Sequence, residues 1–156
     1  MEVNGMQALI VYYSLTGSTA QAAKYIAKGL EGENVGVTKL NAYKAKPEDF
    51  NNKDIVIIGS PTHVSAPAME IRRFLNKLPE KAFANKKVAV FTTYSLWGGE
   101  AALSTIEETL RDKGATKIIP GLARRSSILQ NLWNVITGSI ETEETWIAFG
   151  KLVATS

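Results

Sequence analysis

Two short runs, Leu9-Ile10-Val11 and Ile55-Val56-Ile57-Ile58, carry no polar residue at alternate positions. A strand with one face in water alternates apolar and polar side chains, so runs like these belong to strands covered on both faces, as in a parallel sheet. Parallel strands need long crossovers, and the sequence supplies them as helical stripes. Ala23, Ile26, Ala27 and Leu30 fall at the spacing of one helix face, and Ile71, Phe74, Leu75 and Leu78 repeat it. Leu103, Ile106 and Leu110 mark a third helix, and Trp146, Phe149 and Val153 a fourth.

Strands are predicted from Gln7 to Tyr13, Val35 to Leu40, Asp54 to Gly59, Val88 to Thr92 and Lys117 to Leu122. Their alternation with helices implies an open α/β sheet with helices on both faces and right-handed crossovers. Gly36 weakens the second strand and Pro120 interrupts the fifth, which suits edge positions and favours the order 2-1-3-4-5. In such sheets ligands bind beyond the carboxyl ends of the strands, where the first and third lie side by side. The loops after Tyr13, Gly59 and Thr92 are therefore the places for chemistry.

Composition narrows that chemistry. The 156 residues, 45% hydrophobic and 21% charged, fit one ordered domain spanning 1–156. No cysteine is present, which excludes disulfides, thiolate catalysis, iron–sulfur clusters and cysteine-ligated zinc, and His63 is the lone histidine. The longest apolar run, Ala8 to Tyr13, is six residues, against the about 20 that span a bilayer. The first residues have no basic stretch ahead of an apolar one, so a cytoplasmic protein is expected. The 18 basic and 15 acidic residues leave a net charge of +3. Arg72, Arg73, Lys77, Lys81, Lys86 and Lys87 outnumber Glu80 in one stretch, as a basic patch or a solvated helix face. Neither interleaved aromatics nor a recognisable module points to nucleic acid.

The first loop, Ser14-Leu15-Thr16-Gly17-Ser18-Thr19, packs four hydroxyls and a glycine directly ahead of a helix. Free amides and the positive end of the dipole favour an anion there, and hydroxyls add donors suited to phosphate. It lacks the lysine of a Walker loop and the glycines of a dinucleotide fingerprint. A simple cap by Ser18 or Thr19 is the plainer alternative. The second loop, Gly59 to Pro67, and the third, Thr92 to Glu100, set aromatic groups beside small residues. That suits a flat ring held between His63 and either Tyr94 or Trp97, although aromatics also close sheet ends without any ligand.

With these loops the chain resembles the flavodoxin family over nearly its whole length. Ser14, Thr16, Gly17 and Thr19 match the family's phosphate motif, Thr62 matches in the second loop, and Tyr94 and Gly99 keep the third loop's spacing. Trp97-Gly98-Gly99-Glu100-Ala101 is similar to the flavodoxin domains of diiron flavoproteins. The resemblance implies a three-layer flavodoxin-like fold with FMN at the switch point, which is the family's general arrangement and not something the spacing shows. It implies a cofactor site of Ser14, Leu15, Thr16, Gly17, Ser18 and Thr19 around the phosphate. Pro61, Thr62, His63, Val64 and Ser65 would lie on one side of the ring, and Thr93, Tyr94, Ser95, Trp97, Gly98 and Gly99 on the other. No catalytic or metal residue is implied.

Three features depart from the family. Val64 stands where many flavodoxins have a glycine whose peptide turns toward the reduced flavin, and a β-branched residue resists positive φ. Weaker stabilisation of the half-reduced flavin is therefore expected, with Val64→Gly restoring it. The net charge is positive where the family is usually acidic, so acidic redox partners are expected. An insertion at about 124–140 carries an apolar stripe of Ile128, Leu129, Leu132, Trp133 and Ile136 flanked by Arg124 and Arg125. It reads as an extra helix on the body, or as a partner, quinone or membrane-surface contact. Long-chain flavodoxins and flavodoxin-like protoporphyrinogen oxidases resemble it in this respect. The leading expectation is an FMN electron carrier between redox partner proteins. An FMN-dependent oxidoreductase acting on a quinone or porphyrinogen, or a flavin-free signalling or binding domain, remains open. A receiver domain fits poorly, because no acidic residues follow the first strand.

Overall fold

The computed structural model of the chain describes residues 5–94, 98–125 and 141–156. β1 (Gln7–Tyr12) lies inside a parallel sheet, with the edge strand β2 (Gly36–Asn41) on one side and β3 (Ile55–His63) on the other. β5 (Lys87–Tyr94) continues the sheet beside β3 in a register running from Ile55↔Lys87 to Pro61↔Thr93. The runs without alternation are the reason: Leu9, Ile10, Val11 and Ile55 to Ile58 are all fully buried.

The expected order of five strands is present, with two additions. The fifth strand is in two pieces, β6 (Lys117–Ile118) and β7 (Leu122–Arg125), both paired with β5. Pro120 separates them because it has no N–H to give the ladder. β3 also runs past Gly59 to His63 and turns back as β4 (Ala66–Pro67), an antiparallel pair. The second loop is thus a tight hairpin, where an open loop from Gly59 was expected.

The four stripes within the described residues, beginning at Ala23, Ile71, Leu103 and Trp146, are buried as their spacing predicts. α1 (Ser18–Glu31) and the last helix, α4 (Glu141–Thr155), cover one sheet face, where Phe91 meets Trp146 edge to face at 5.5 Å. α2 (Met69–Asn76) and α3 (Gly99–Asp112) cover the other. α1 and α4 touch backbone to backbone: a Cβ on Gly29 would lie 2.1 Å from the Ile147 carbonyl oxygen, and one on Gly150 2.2 Å from that of Ile26. No helix among the described residues is long and apolar enough to cross a membrane.

Two lysines of the basic stretch, and Lys113 beyond it, close the structure. Lys86 Nζ donates to the carbonyls of Phe50 at 2.8 Å and Lys53 at 2.7 Å, and Lys87 Nζ to that of Val153 at 2.8 Å. Lys113 Nζ donates to the Leu78 carbonyl at 2.7 Å. Arg72, Arg73, Lys77 and Lys81 remain exposed, so the stretch divides between carbonyl caps and a solvated face.

Candidate functional site

Parallel strands deliver all three chemical loops to one edge of the sheet. At that edge stand four buried hydroxyl residues, Thr19, Ser60, Thr92 and Thr93. A buried hydroxyl has to find a partner, and these tie the loops to the scaffold. Thr19 Oγ1 and Thr93 Oγ1 lie 2.9 Å apart, joining the first turn of α1 to the end of β5. Ser60 Oγ accepts the Ala68 amide at 2.9 Å and donates to the Pro61 carbonyl at 2.7 Å, fixing the hairpin ahead of α2. Thr92 donates to the Gly99 carbonyl at 3.2 Å, anchoring the start of α3.

The first loop is wound around Ser14, whose Oγ accepts the amides of Gly17 at 3.1 Å and Ala20 at 3.2 Å. Gly17 takes φ 95 as the residue before α1, a conformation that glycine adopts without strain, and the space a Cβ would fill is open. Neither Ser18 nor Thr19 caps the helix, because the residue in the cap position is Gly17 and it has no side chain. Thr16 is exposed and its Oγ1 lies 3.5 Å from Ser18 Oγ. Leu15 is 65% exposed. Thr19 is buried and directed inward, onto Thr93.

In the second loop, Val64 and Ser65 form the two-residue turn of the hairpin at φ 47 and φ 68. This corrects the expectation that Val64 would resist such a conformation: it already occupies it, with 82% of its surface in solvent. Positive φ at both central residues is the hairpin pattern that normally selects Asn-Gly, and a β-branched residue there is strained. His63 is exposed just before the turn, and Pro61 is half-buried. Thr62 Oγ1 is buried and finds no hydrogen-bond partner among the described residues.

The third loop is placed at both ends. Tyr94 is half-buried, and a Cβ on Gly99 would lie 2.4 Å from its ring, so the bare glycine is what lets the tyrosine sit against the start of α3. Gly98, at φ 91, passes so near the hairpin that a Cβ there would lie 2.5 Å from the Cα of Ser65. The second and third loops therefore meet at Gly98 and Ser65. Ser95 and Trp97 lie outside the described residues, as does the expected stripe from Ile128 to Ile136.

Two features escaped the sequence reading. Leu15 and Val64 share this edge with two further exposed apolar residues, Tyr43 (73% exposed) and Met69 (54%). Tyr43 stands edge-on to Tyr13 at 5.8 Å, its hydroxyl 3.5 Å from Glu70 Oε2. Single apolar residues after a strand carry no periodicity, so only the topology collects them. Arg124 is the other: paired strands place it beside Thr93.

The residues fit a phosphorylated flat ring: an open helix start lined with hydroxyls, a buried hydroxyl with no partner among the described residues, and two loops meeting beside it. Comparison with known proteins agrees. Residues 10–129 match the flavodoxin family model. The flavodoxin of Clostridium beijerinckii is 30% identical over 147 residues, covering 93% of this chain and 97% of its own. A diflavin flavoprotein of Synechocystis is 34% identical over 113 residues, 70% of this chain but 19% of the longer protein. In fold, the chain superposes on the oxidised flavodoxin 2 of Bacillus cereus with a TM-score of 0.78, at 24% identity and over 96% of this chain and 98% of that one.

Proposed function

Because the chain belongs to the flavodoxin family, FMN-binding proteins of electron transfer, we propose that it is a carrier that passes electrons between redox partner proteins without a substrate reaction of its own. The observation that carries this reading is the start of α1, where Gly17 leaves the entry open and Ser14 holds the loop in shape. Ser14 Oγ takes up the amides of Gly17 and Ala20, and those of Ser18 and Thr19, which have no partner within their own helix, are the ones a phosphate would meet. Thr16 and Ser18 add hydroxyl donors at the same end. Thr62 and the Val64–Ser65 turn form one wall of the ring site, and Tyr94, seated on Gly99, forms the other. Bound there, FMN supplies one- and two-electron redox chemistry.

The exposed apolar residues Leu15, Tyr43, Val64 and Met69 give a partner a desolvatable surface around that site. Arg72 and Arg73, exposed on α2, favour partners with acidic docking faces. The test has two parts. Purified protein should be yellow and release FMN on denaturation; colourless protein that takes up no added FMN would favour a flavin-free binding domain. Steady-state reduction of quinones by NAD(P)H with this protein alone should be negligible, and rapid turnover would make it an enzyme.

A further inference from the structure

The first loop contains no lysine or arginine from Ser14 to Thr19. A phosphate held there would meet amides and hydroxyls but no cation from its own loop. The fold brings one from elsewhere. In the parallel register of β5 and β7, Thr93 is paired with Arg124. Leu122 packs on the face shared with α1 and α4, and Ala123 on the opposite face. Alternation therefore returns Arg124 to the α1 face, the same one on which Thr93 meets Thr19. Adjacent strands are about 4.8 Å apart, so Arg124 begins one strand spacing from a residue that touches the first turn of α1.

Among the described residues its guanidinium is not committed to another charge. Arg124 is exposed, makes one hydrogen bond, from Nη1 to the Ala123 carbonyl at 3.3 Å, and forms no ion pair among the described residues. A planar fork of donors matches two phosphate oxygens at once, and such charge-assisted bonds are about twice as strong as neutral ones.

We infer that Arg124 is a specificity-determining residue that selects the phosphorylated flavin, reaching across Thr93 to the phosphate at the start of α1. This rests on the proposed FMN site, and it assigns the phosphate's countercharge to a strand distant in sequence from the loop.

The experiment titrates apoprotein with FMN and with riboflavin, following flavin fluorescence, for the native chain, Arg124→Gln and Arg124→Lys. Native protein should prefer FMN. Arg124→Gln should weaken FMN binding about tenfold, the factor that 1.4 kcal/mol produces, and leave riboflavin unchanged. Arg124→Lys should fall between them, and added salt should weaken native binding more than that of the glutamine variant. An unchanged FMN affinity in Arg124→Gln, or equal weakening for both flavins, overturns the assignment of Arg124 while leaving the FMN site standing. Native protein that binds neither flavin overturns the site itself and this inference with it. Thermal unfolding of the apoproteins, expected to coincide, shows that the variants are folded; a lowered midpoint in Arg124→Gln would mark the residue as structural and count against the assignment.

Discussion

Thr19 Oγ1 and Thr93 Oγ1 share a hydrogen bond of 2.9 Å, buried, between residues 74 positions apart. The first turn of α1 is thereby fixed to the end of β5, and this motif hydroxyl serves the scaffold while Thr16 faces outward.

Thr16→Ala and Thr19→Ala should therefore differ. Thr16 is exposed, so its loss should leave unfolding within about 0.5 kcal/mol of native and weaken FMN binding by about 1.5–3 kcal/mol. Thr19→Ala leaves Thr93 unpaired, which should lower apoprotein stability by about 1–3 kcal/mol as well as disturb binding. Urea unfolding of the apoproteins separates the two. Riboflavin should bind native protein much more weakly than FMN, and equal affinities would remove the phosphate role from this loop.

The Val64–Ser65 turn should respond to its preferred sequence. With both residues at positive φ, replacing them by Asn-Gly relieves strain on the order of 1–3 kcal/mol. The thermal midpoint should rise by about 2–4 °C per kcal/mol. Val64→Gly should show part of that gain. A fall in midpoint for both variants would mean that the valine contributes more by contact than it costs by strain. Since Val64 already has positive φ, the yield of half-reduced flavin in a reductive titration should be less sensitive to Val64→Gly than sequence alone implies.

Gly99 sets the position of Tyr94. Gly99→Ala places a Cβ where the ring now lies, 2.4 Å away, and should cost about 1–3 kcal/mol by overpacking. If the ring covers the flavin, FMN affinity should fall together with stability, and Tyr94→Ala should lower affinity too. Comparison with Trp97→Ala identifies the stacking residue; unchanged affinity in both would take the third loop off the flavin.

Lys86 makes the stability of the opposite edge depend on pH. Burial lowers its pKa below the usual 10.5, with Asp54 acting against the shift. The unfolded chain then holds this proton more tightly than the folded one. The sign follows: stability from this group rises as pH climbs through the folded value towards 10.5. Lys86→Met should remove that rise and leave the Phe50 and Lys53 carbonyls without their donor. A chemical denaturation series from neutral to alkaline pH measures it.

The sheet order was legible because Gly36 and Pro120 weaken strands that belong at edges, and the cores of β1 and β3 because both faces of those strands are covered. In the first loop, the glycine among hydroxyls directly ahead of a helix made the helix start legible. The hairpin at Val64 was not: Val-Ser carries no turn signal, and its geometry is imposed by the pairing of His63 with Ala66. The inward turn of Thr19 and the arrival of Arg124 beside it depend on register across β5, which no local pattern in the chain encodes.

The lysines that cap backbone carbonyls divide the protein's amines into two kinetic populations. Lys77 and Lys81 stand in solvent and should react with an amine-directed reagent at the rate of a free side chain. The Nζ atoms of Lys86, Lys87 and Lys113 are held by carbonyls and must be released before they react. Their labelling rates would act as a clock for opening of the edge opposite the flavin, read residue by residue while the binding edge stays closed.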